Sequence, residues 1–232
     1  MMSFTTSLAQ RFKFLSFRTL LEAYGLTETS PAATVNPLNI AEYNGSIGLP
    51  LPSTEITLRD DAGKDVPLGT PGEICIKGPQ VMAGYWNRPD ETAKVMTADG
   101  FFMSGDIGVM DEKGFIRIVD RKKDMIKTGG ENVYCQEVES VLGAHPGVMQ
   151  CAVFGLPDER WGEAVTAAVI ARPGTEVTEV TEAELIEFCR GRLPGFKAPK
   201  RIHFRKSLPI SAANKILKRD LKTEYASADK GG

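Results

Sequence analysis

The pattern of the chain changes near residues 121–123, and this change constrains the fold more than any other feature. Before it, short alternating segments such as 54–59 and 73–77 are separated by glycines, prolines and aspartates, which is typical of antiparallel strands joined by tight turns. After it, segments with helical spacing at 136–144 and 182–193 alternate with apolar runs, as in a mixed domain. The sequence therefore predicts an α+β fold in which a small distorted β-barrel, or a distorted sandwich, precedes a compact α+β domain.

Composition excludes several classes of protein. The 232 residues are 42% hydrophobic and carry a net charge of −2, values that are ordinary for a globular chain and not for a disordered or collagen-like one. No apolar run approaches the ~18 residues of a membrane-spanning helix. The four cysteines form no CxxC pair and there are two histidines. We therefore expect neither a disulfide framework nor a metal site of His or Cys, and a reducing, cytoplasmic compartment.

Basic residues are concentrated near the C-terminus. From Arg190 to Lys222 the chain carries 11 basic residues and one acidic residue, Asp220, which is a net charge of +10. Such a segment suggests an anionic partner, either nucleic acid, a membrane surface or a phosphorylated small molecule. The alternative is an ordinary solvated basic face.

The first 22 residues allow two interpretations. They are rich in Ser, Thr, Phe and basic residues and contain no acid before Glu22, as in a mitochondrial transit peptide. Phe4, Leu8, Phe12 and Leu15 also share one face of a helix, and this spacing favours a short amphipathic helix at least as much.

Residues 24–29 combine groups that suit a nucleotide. Tyr24 offers a face on which a purine can stack, and the Thr27 hydroxyl can bind a phosphate oxygen. Glu28 is a carboxylate of the kind that Mg²⁺ prefers, and Gly25 gives the segment backbone freedom. Taken alone, the segment could equally be the end of an ordinary strand.

Two further stretches place glycine beside charged groups. Asp106 follows Ser-Gly, where a carboxylate can accept both hydroxyls of a ribose or simply stabilise its own turn. Residues 120–132 hold four cations and the Gly129-Gly130 pair, which lets the backbone approach a ligand closely. Among these cations, Arg121 suits bidentate contacts with ribose or phosphate oxygens.

A lysine near the C-terminus is a candidate for transition-state stabilisation. Lys215 ends a loop of small residues, and the apolar pair Ile216-Leu217 can anchor that loop. The ammonium is a point charge that suits a shifting phosphate or carboxylate. On spacing alone, an ordinary surface lysine explains the pattern better. The glycine- and aromatic-rich stretch 72–86 is interpreted as packing and not as a binding site.

In this order the segments resemble the adenylate-forming superfamily of acyl-CoA synthetases, firefly luciferase and nonribosomal-peptide adenylation domains, and within it the C-terminal portion of long-chain fatty-acid–CoA ligases. The likeness rests on the run at 24–37, on Gly-Ser-Ile-Gly-Leu-Pro at 45–50 and on the run at 120–133, and it covers nearly the whole chain. It implies that ATP and Mg²⁺ convert a fatty acid into an acyl-adenylate, which the thiol of coenzyme A (CoA) then attacks.

The resemblance also implies roles for individual residues. The ATP or AMP contacts fall on Tyr24, Gly25, Thr27, Asp106, Arg121 and Lys215. Within that set Tyr24 would face adenine and Asp106 the ribose, while Lys215 would bridge the carboxylate and the α-phosphate. Glu28 would hold the metal, and the catalytic residues would be Lys215, Thr27 and Glu28.

The second half-reaction is expected to use a different loop. Lys123 falls at the family's hinge, and the loop that would serve CoA and thioester formation contains Lys127, Gly129, Gly130 and Glu131. The resemblance divides the chain into a remnant of the large N-terminal AMP-binding domain at 1–45, a β-rich barrel-like subdomain at 46–122 and a mobile C-terminal lid domain at 123–232.

Two departures from the family pattern matter. Asn214 stands where the family commonly has glycine, and Asn tolerates a left-handed backbone. The Ser/Thr/Gly-rich phosphate loop and the acyl pocket have no counterpart before Tyr24, so the chain is expected to be inactive alone. The alternative is a non-enzymatic module that binds nucleotide or CoA or complements a separate N-terminal half. Expected partners are fatty acid, ATP and CoA, with peripheral membrane contact as a further candidate and no nucleic acid.

Overall fold

The structure, a computed structural model, describes residues 6–173, 180–212 and 214–228. The chain divides into two compact units, Met1–Lys122 and Lys123–Gly232, and each unit is described by itself. Phe4 and the side chain of Leu8, both part of the amphipathic interpretation, lie outside the described residues. The division into three functional parts stays a prediction.

The first unit combines short helices with antiparallel strands. Its elements are α1 (Thr6–Ser16), β1 (Ala23–Tyr24), β2 (Thr34–Val35), β3 (Leu49–Pro50), β4 (Glu55–Arg59), β5 (Gly72–Lys77), α2 (Pro89–Val95), β6 (Phe102–Met110) and β7 (Ile116–Arg121). Strands β1, β2 and β3 pair in that order, as do β4, β5, β6 and β7. Apolar side chains of the two sheets share one core, which includes Tyr24, Leu58, Ile74, Ile76 and Ile116.

The expected α+β class is confirmed, with one difference in detail. Strands β4 to β7 form an open four-stranded antiparallel sheet, and the pairings among the described residues do not close it into a barrel. The sheet stays open because, in the part of the chain that the structure describes, its two outer strands, β4 and β7, do not pair with each other.

The β6–β7 hairpin shows how local sequence sets these strands. Asp111 Oδ1 accepts hydrogen bonds of 2.9 Å from the backbone N–H groups of Lys113 and Phe115. Gly114 adopts a φ of +81°, which glycine adopts with little strain. The turn fixes the register of the strand pairs beside it, and beyond a register shift between Ile107 and Gly108 the hairpin places Asp106 opposite Arg121.

The second unit packs helices on both faces of a sheet. Its elements are β8 (Ile126–Thr128), β9 (Glu131–Val133), α3 (Cys135–Gly143), β10 (Val148–Asp158), β11 (Gly162–Ala171), α4 (Glu182–Arg190), β12 (Arg201–Phe204) and α5 (Lys218–Ala228). The antiparallel order is β10-β11-β8-β9, and β12 pairs with β11 in parallel. The predicted N-cap of α4 is present, since Thr181 Oγ1 accepts from the Glu184 N–H at 3.2 Å.

Side-chain alternation along β10 and β11 explains the three layers. Val153 and Val165 face a core that contains residues of α3 and α4, such as Leu142 and Leu185. The next residue in β10, Phe154, belongs instead to a second core that contains Leu221 of α5. Because both faces are covered, β10 and β11 are continuous apolar runs and not alternating ones. In the described part of the chain, no helix is both long and apolar enough to cross a membrane.

Candidate functional site

Tyr24 and Asp106 meet in the first unit. Tyr24 ends β1 with 2% of its surface exposed, and its hydroxyl donates a 2.8 Å hydrogen bond to Asp106 Oδ2. Burial, and then the charge of Asp106, raise the pKa of the Tyr24 phenol well above its usual value, so the phenol stays protonated and remains a donor. The pair therefore fixes one oxygen of the Asp106 carboxylate.

Arg121 completes this arrangement on the neighbouring strand. Its Nε lies 3.7 Å from Asp106 Oδ1, and the side chains of Arg121 and Asp106 are 48% and 14% exposed. The Ser104 hydroxyl accepts from the Asp106 N–H at 3.1 Å. The carboxylate is thus held from several sides, while a partly exposed guanidinium stands beside it.

The segment after Tyr24 forms a tight turn. Gly25 lacks a side chain for a steric reason, because a Cβ there would lie 1.7 Å from the carbonyl oxygen of Pro31. Thr27–Thr29 is a 3-10 turn, and the buried Thr29 side chain accepts from the Leu26 N–H at 2.9 Å. The turn leaves Thr27 exposed and Glu28 partly exposed, as a contact with a phosphate or a metal requires.

Glu28 was predicted as the Mg²⁺ ligand, and its surroundings allow that role. Its Oε1 accepts a 2.9 Å hydrogen bond from the Tyr85 hydroxyl, and its carbonyl oxygen accepts from the Met82 N–H. Within the described residues, no cluster of three or more His, Cys, Asp or Glu could hold a metal. One carboxylate is still compatible with Mg²⁺, which is often bound by one or two carboxylates together with substrate phosphates and water.

In the second unit, Gly129 and Gly130 form the turn between β8 and β9. Their φ values are +59° and +86°, the pattern of a two-residue hairpin loop with both residues left-handed. The Gly129 N–H donates to the Trp161 carbonyl at 2.8 Å, and a Cβ on Gly129 would lie 3.1 Å from the Trp161 ring. Gly130 has nothing within 4 Å of the same position, so one glycine packs closely and the other is open.

The charged residues of this hairpin point to solvent. Lys127 and Glu131 are both exposed, and they lie on adjacent positions of the paired strands, since Thr128 is opposite Glu131. The Lys127 N–H donates to Glu163 Oε2 at 2.8 Å. The hairpin therefore presents a lysine, a glutamate and bare backbone together.

Lys215 lies on a small loop whose flanking backbone is hydrogen-bonded. The Ser211 N–H donates to the Lys215 carbonyl and the Leu217 N–H to the Pro209 carbonyl, both at 2.8 Å. Asn214 has a φ of +57°, so the left-handed position that the family fills with glycine is tolerated here. The described backbone on both sides of the loop is thus paired, while the Lys215 side chain is exposed.

An ion pair secures the base of that loop. Lys218 Nζ, at the start of α5, lies 2.7 Å from Glu139 Oε1, with side chains 16% and 24% exposed. Glu139 Oε1 also accepts from the Val153 N–H at 2.8 Å. The pair joins α5 to α3 and, through Glu139, to β10, three residues after Lys215.

Sequence reasoning missed three contributors to these sites. Tyr85 holds Glu28, Trp161 supports Gly129, and Glu73 lies buried behind Asp106. A signal existed for Glu73, because an acidic residue inside a strand with apolar neighbours is rarely buried without a partner. No sequence signal pointed to Tyr85, because it lies in the stretch 72–86 that is interpreted as packing.

Comparisons with known proteins match most of the chain. Residues 2–86 match the family model described as AMP-binding enzyme, and residues 137–215 match the AMP-binding enzyme C-terminal domain. The crystal structure of ATP-bound MatB from Rhodopseudomonas palustris superposes with a TM-score of 0.86 at 37% identity, covering 96% of this chain and 44% of that one.

Curated relatives give a similar result. A long-chain-fatty-acid–CoA ligase of Yersinia pestis is 50% identical over 218 residues, which are 94% of this chain and 38% of the relative. A feruloyl-CoA synthase of Amycolatopsis is 43% identical over 206 residues, which are 88% of this chain and 41% of the relative. The chain thus spans about two fifths of the length of the curated relatives it matches.

Proposed function

Because the chain belongs to the adenylate-forming, AMP-binding superfamily and to its acyl-CoA ligase group, we propose that it takes part in the ATP-dependent joining of a long-chain fatty acid to CoA. The choice of acid follows the five long-chain-fatty-acid–CoA ligases that are 50–51% identical to the chain, while feruloyl-CoA synthases are 43% and a further long-chain ligase is 41% identical. In the first step a carboxylate oxygen attacks the α-phosphorus of ATP and pyrophosphate leaves. In the second, the CoA sulfur attacks the acyl carbon, its proton is lost and AMP leaves.

The observation that carries this proposal is the environment of Asp106. An ionised carboxylate offers about four acceptor positions, and Tyr24 occupies one of them. The remaining positions can accept the two ribose hydroxyls, with Arg121 beside them. Adenine contact at Tyr24 and Gly25 is a weaker part of the proposal, since the ring is buried in this structure and stacking needs it to become accessible.

Thr27 and Glu28 would serve the phosphates. Thr27 is exposed at the start of the 3-10 turn, so its hydroxyl is free to rotate toward a phosphate oxygen. Glu28 would hold Mg²⁺, which, when bound, neutralises charge on the phosphates. Tyr85 orients the carboxylate by donating to one of its oxygens, and the other oxygen remains for the metal.

Residues of the second unit would act on the two half-reactions in turn. Lys215 would stabilise the charge that develops on the carboxylate and α-phosphate during adenylation, a role that the paired backbone beside its loop and its exposed side chain support. The hairpin Lys127–Glu131 would lie beside the pantetheine arm of CoA, and Gly129 and Gly130 would leave space for that arm. Lys123, the first residue of this unit, would be the hinge between the two half-reactions.

We further propose that the 232 residues alone have little ligase activity. They contain no Ser/Thr/Gly-rich segment before Tyr24 that could hold the β- and γ-phosphates, and phosphoryl chemistry depends largely on such positioning. The test is ATP–pyrophosphate exchange with a long-chain fatty acid, measured with the chain alone and after adding the remaining part of a long-chain-fatty-acid–CoA ligase in trans. Exchange that appears only in the mixture, and is lost with Lys215→Ala, supports the proposal; robust exchange by the chain alone contradicts it.

A second candidate rests on the match of residues 2–86 and 137–215 to the two AMP-binding family models. In it, the chain is a non-enzymatic module that binds nucleotide or CoA, or complements a separate N-terminal half. Binding of AMP and CoA without restored exchange in the mixture favours a binding module, whereas restored exchange excludes that module and is expected both for the ligase and for a complementing half. Peripheral membrane contact and a cytoplasmic location remain predictions that a vesicle-flotation assay and fractionation can test.

A further inference from the structure

Glu73 is a buried charge that none of the roles above uses. It lies in β5 between apolar neighbours, and its side chain is 8% exposed. A carboxylate in such a place is stable only with partners that compensate for lost hydration. Both of its oxygens have such partners, and both partners adjoin the proposed ribose site.

The first oxygen holds the bulge that carries Asp106. Glu73 pairs with Ile107 and Cys75 pairs with Met103, so β6 has extra residues opposite Ile74, and Gly105 adopts a φ of +74° there. A bulge disrupts the regular ladder of backbone hydrogen bonds. Glu73 Oε1 accepts from the Gly105 N–H at 3.0 Å, and it thereby supplies a partner for the residue immediately before Asp106.

The second oxygen holds the end of β7. Glu73 Oε2 lies 2.9 Å from Lys122 Nζ, and Lys122 follows Arg121, which is opposite Asp106. Lys122 Nζ also lies 3.0 Å from Asp61 Oδ1, but Asp61 is 56% exposed. Exposed ion pairs contribute little, so the buried Glu73 contact is the stronger of the two.

We propose that Glu73 is a positioning residue for the ribose site. Through Gly105 its carboxylate fixes the bulge that carries Asp106. Through Lys122 the same carboxylate fixes the end of β7, where Arg121 lies. The proposal rests on the proposed role of Asp106 in ribose binding. It predicts that loss of the Glu73 charge weakens the contacts made with ribose hydroxyls and leaves the other nucleotide contacts in place.

The test compares AMP with 2′,3′-dideoxy-AMP by calorimetry on the full chain. Glu73→Ala removes both contacts, while Glu73→Gln keeps an acceptor for Gly105 and turns an amide donor toward Lys122. We expect AMP affinity to fall about tenfold in Glu73→Ala, as for a hydrogen bond to a charged group, and less in Glu73→Gln, with dideoxy-AMP affinity unchanged. The matched control is Asp61→Asn, which removes the exposed partner of Lys122 and should bind AMP like the wild type. Equal weakening toward both nucleotides, or an equal loss in Asp61→Asn, overturns the proposal.

A second measurement does not depend on nucleotide. Amide hydrogen exchange at Gly105 should be about tenfold faster in Glu73→Ala, while the amides of Ile74 and Ile76 keep their protection and show that the sheet is intact. Unchanged protection at Gly105 overturns the proposal. A wild-type chain that binds AMP and dideoxy-AMP equally contradicts the role of Asp106 instead, so the two failures are distinguishable.

Discussion

The Tyr24 hydroxyl donates a 2.8 Å hydrogen bond to Asp106, a residue 82 positions further along the chain. The contact joins the turn that carries Thr27 and Glu28 to the β6 bulge. Two segments that are remote in sequence thereby become one site within the first unit. The site also affects how stability depends on pH, because burial, and then the charge of Asp106, raise the pKa of the Tyr24 phenol.

Tyr24→Phe should alter how stability depends on pH. A phenol whose pKa is raised in the folded state contributes stability that is complete below the ordinary pKa of about 10 and decreases above it. Relative to Tyr24→Phe, the free energy of unfolding of the wild type should therefore fall by about 1.4 kcal/mol per pH unit above pH ~10. Urea unfolding of both proteins between pH 8 and pH 11 measures this. Parallel curves would show that Tyr24 titrates as an exposed tyrosine does.

Gly129→Ala should destabilise the chain more than Gly130→Ala. Both glycines have positive φ, and a left-handed backbone at a residue with a Cβ costs about 1–2 kcal/mol. At Gly129 the new Cβ also meets the Trp161 ring at 3.1 Å, whereas the site at Gly130 is open. Gly143→Ala, at the end of α3 with open space and no positive φ, is the control and should be neutral or slightly stabilising. Chemical denaturation ranks the three variants, and a larger loss at Gly130 would contradict the prediction.

Lys218→Met should reduce stability because Glu139 loses its ion-pair partner. Glu139 would remain mostly buried without its 2.7 Å ion pair, and breaking a buried pair costs about 3–5 kcal/mol. Partial exposure lowers the expected loss to about 2 kcal/mol. Lys206→Met, at an exposed position, should change the free energy of unfolding by less than ~0.5 kcal/mol. Equal effects of the two substitutions, compared by urea unfolding, would exclude a structural role for the pair.

The cysteines should react slowly in the folded chain. Burial raises the pKa of Cys75 and of Cys151 to about 12, and that of Cys189 to about 11. Since the thiolate is the reactive form, iodoacetamide at pH 8 should label these thiols far more slowly in buffer than in urea. Mass spectrometry of tryptic peptides gives the rate at each site. Labelling of Cys75 at the unfolded rate would show that β5 opens readily.

The sequence predicted regular elements well where pattern and local chemistry agreed. The helix expected at 182–193 is α4 with its Thr181 cap, and the strand expected at 201–204 is β12. β6 was not predicted as a nine-residue strand, because Ser104-Gly105-Asp106 contains turn-forming residues. Long-range pairing with β5 and β7 overrides that local preference.

The candidate site was predicted in part for the same reason. Asp106 and Lys215 lie in recognisable segments, and their roles were predicted from the order of those segments and their resemblance to a family. Glu73 and Tyr85 act through partners that are 32 and 57 positions away, and no local pattern encodes such contacts. Side chains that support a site through tertiary contacts are therefore identified from the folded structure and not from the sequence.

The measurement that tests the account most directly is calorimetric titration of AMP into the wild-type chain and into Asp106→Asn. If Asp106 holds the ribose hydroxyls, the substitution should weaken AMP binding about tenfold or more, as expected for lost hydrogen bonds to a charged acceptor. Asp90→Asn, an exposed carboxylate in α2, is the matched control and should bind like the wild type. Equal AMP affinity in the wild type and in Asp106→Asn would contradict the nucleotide site proposed for the first unit.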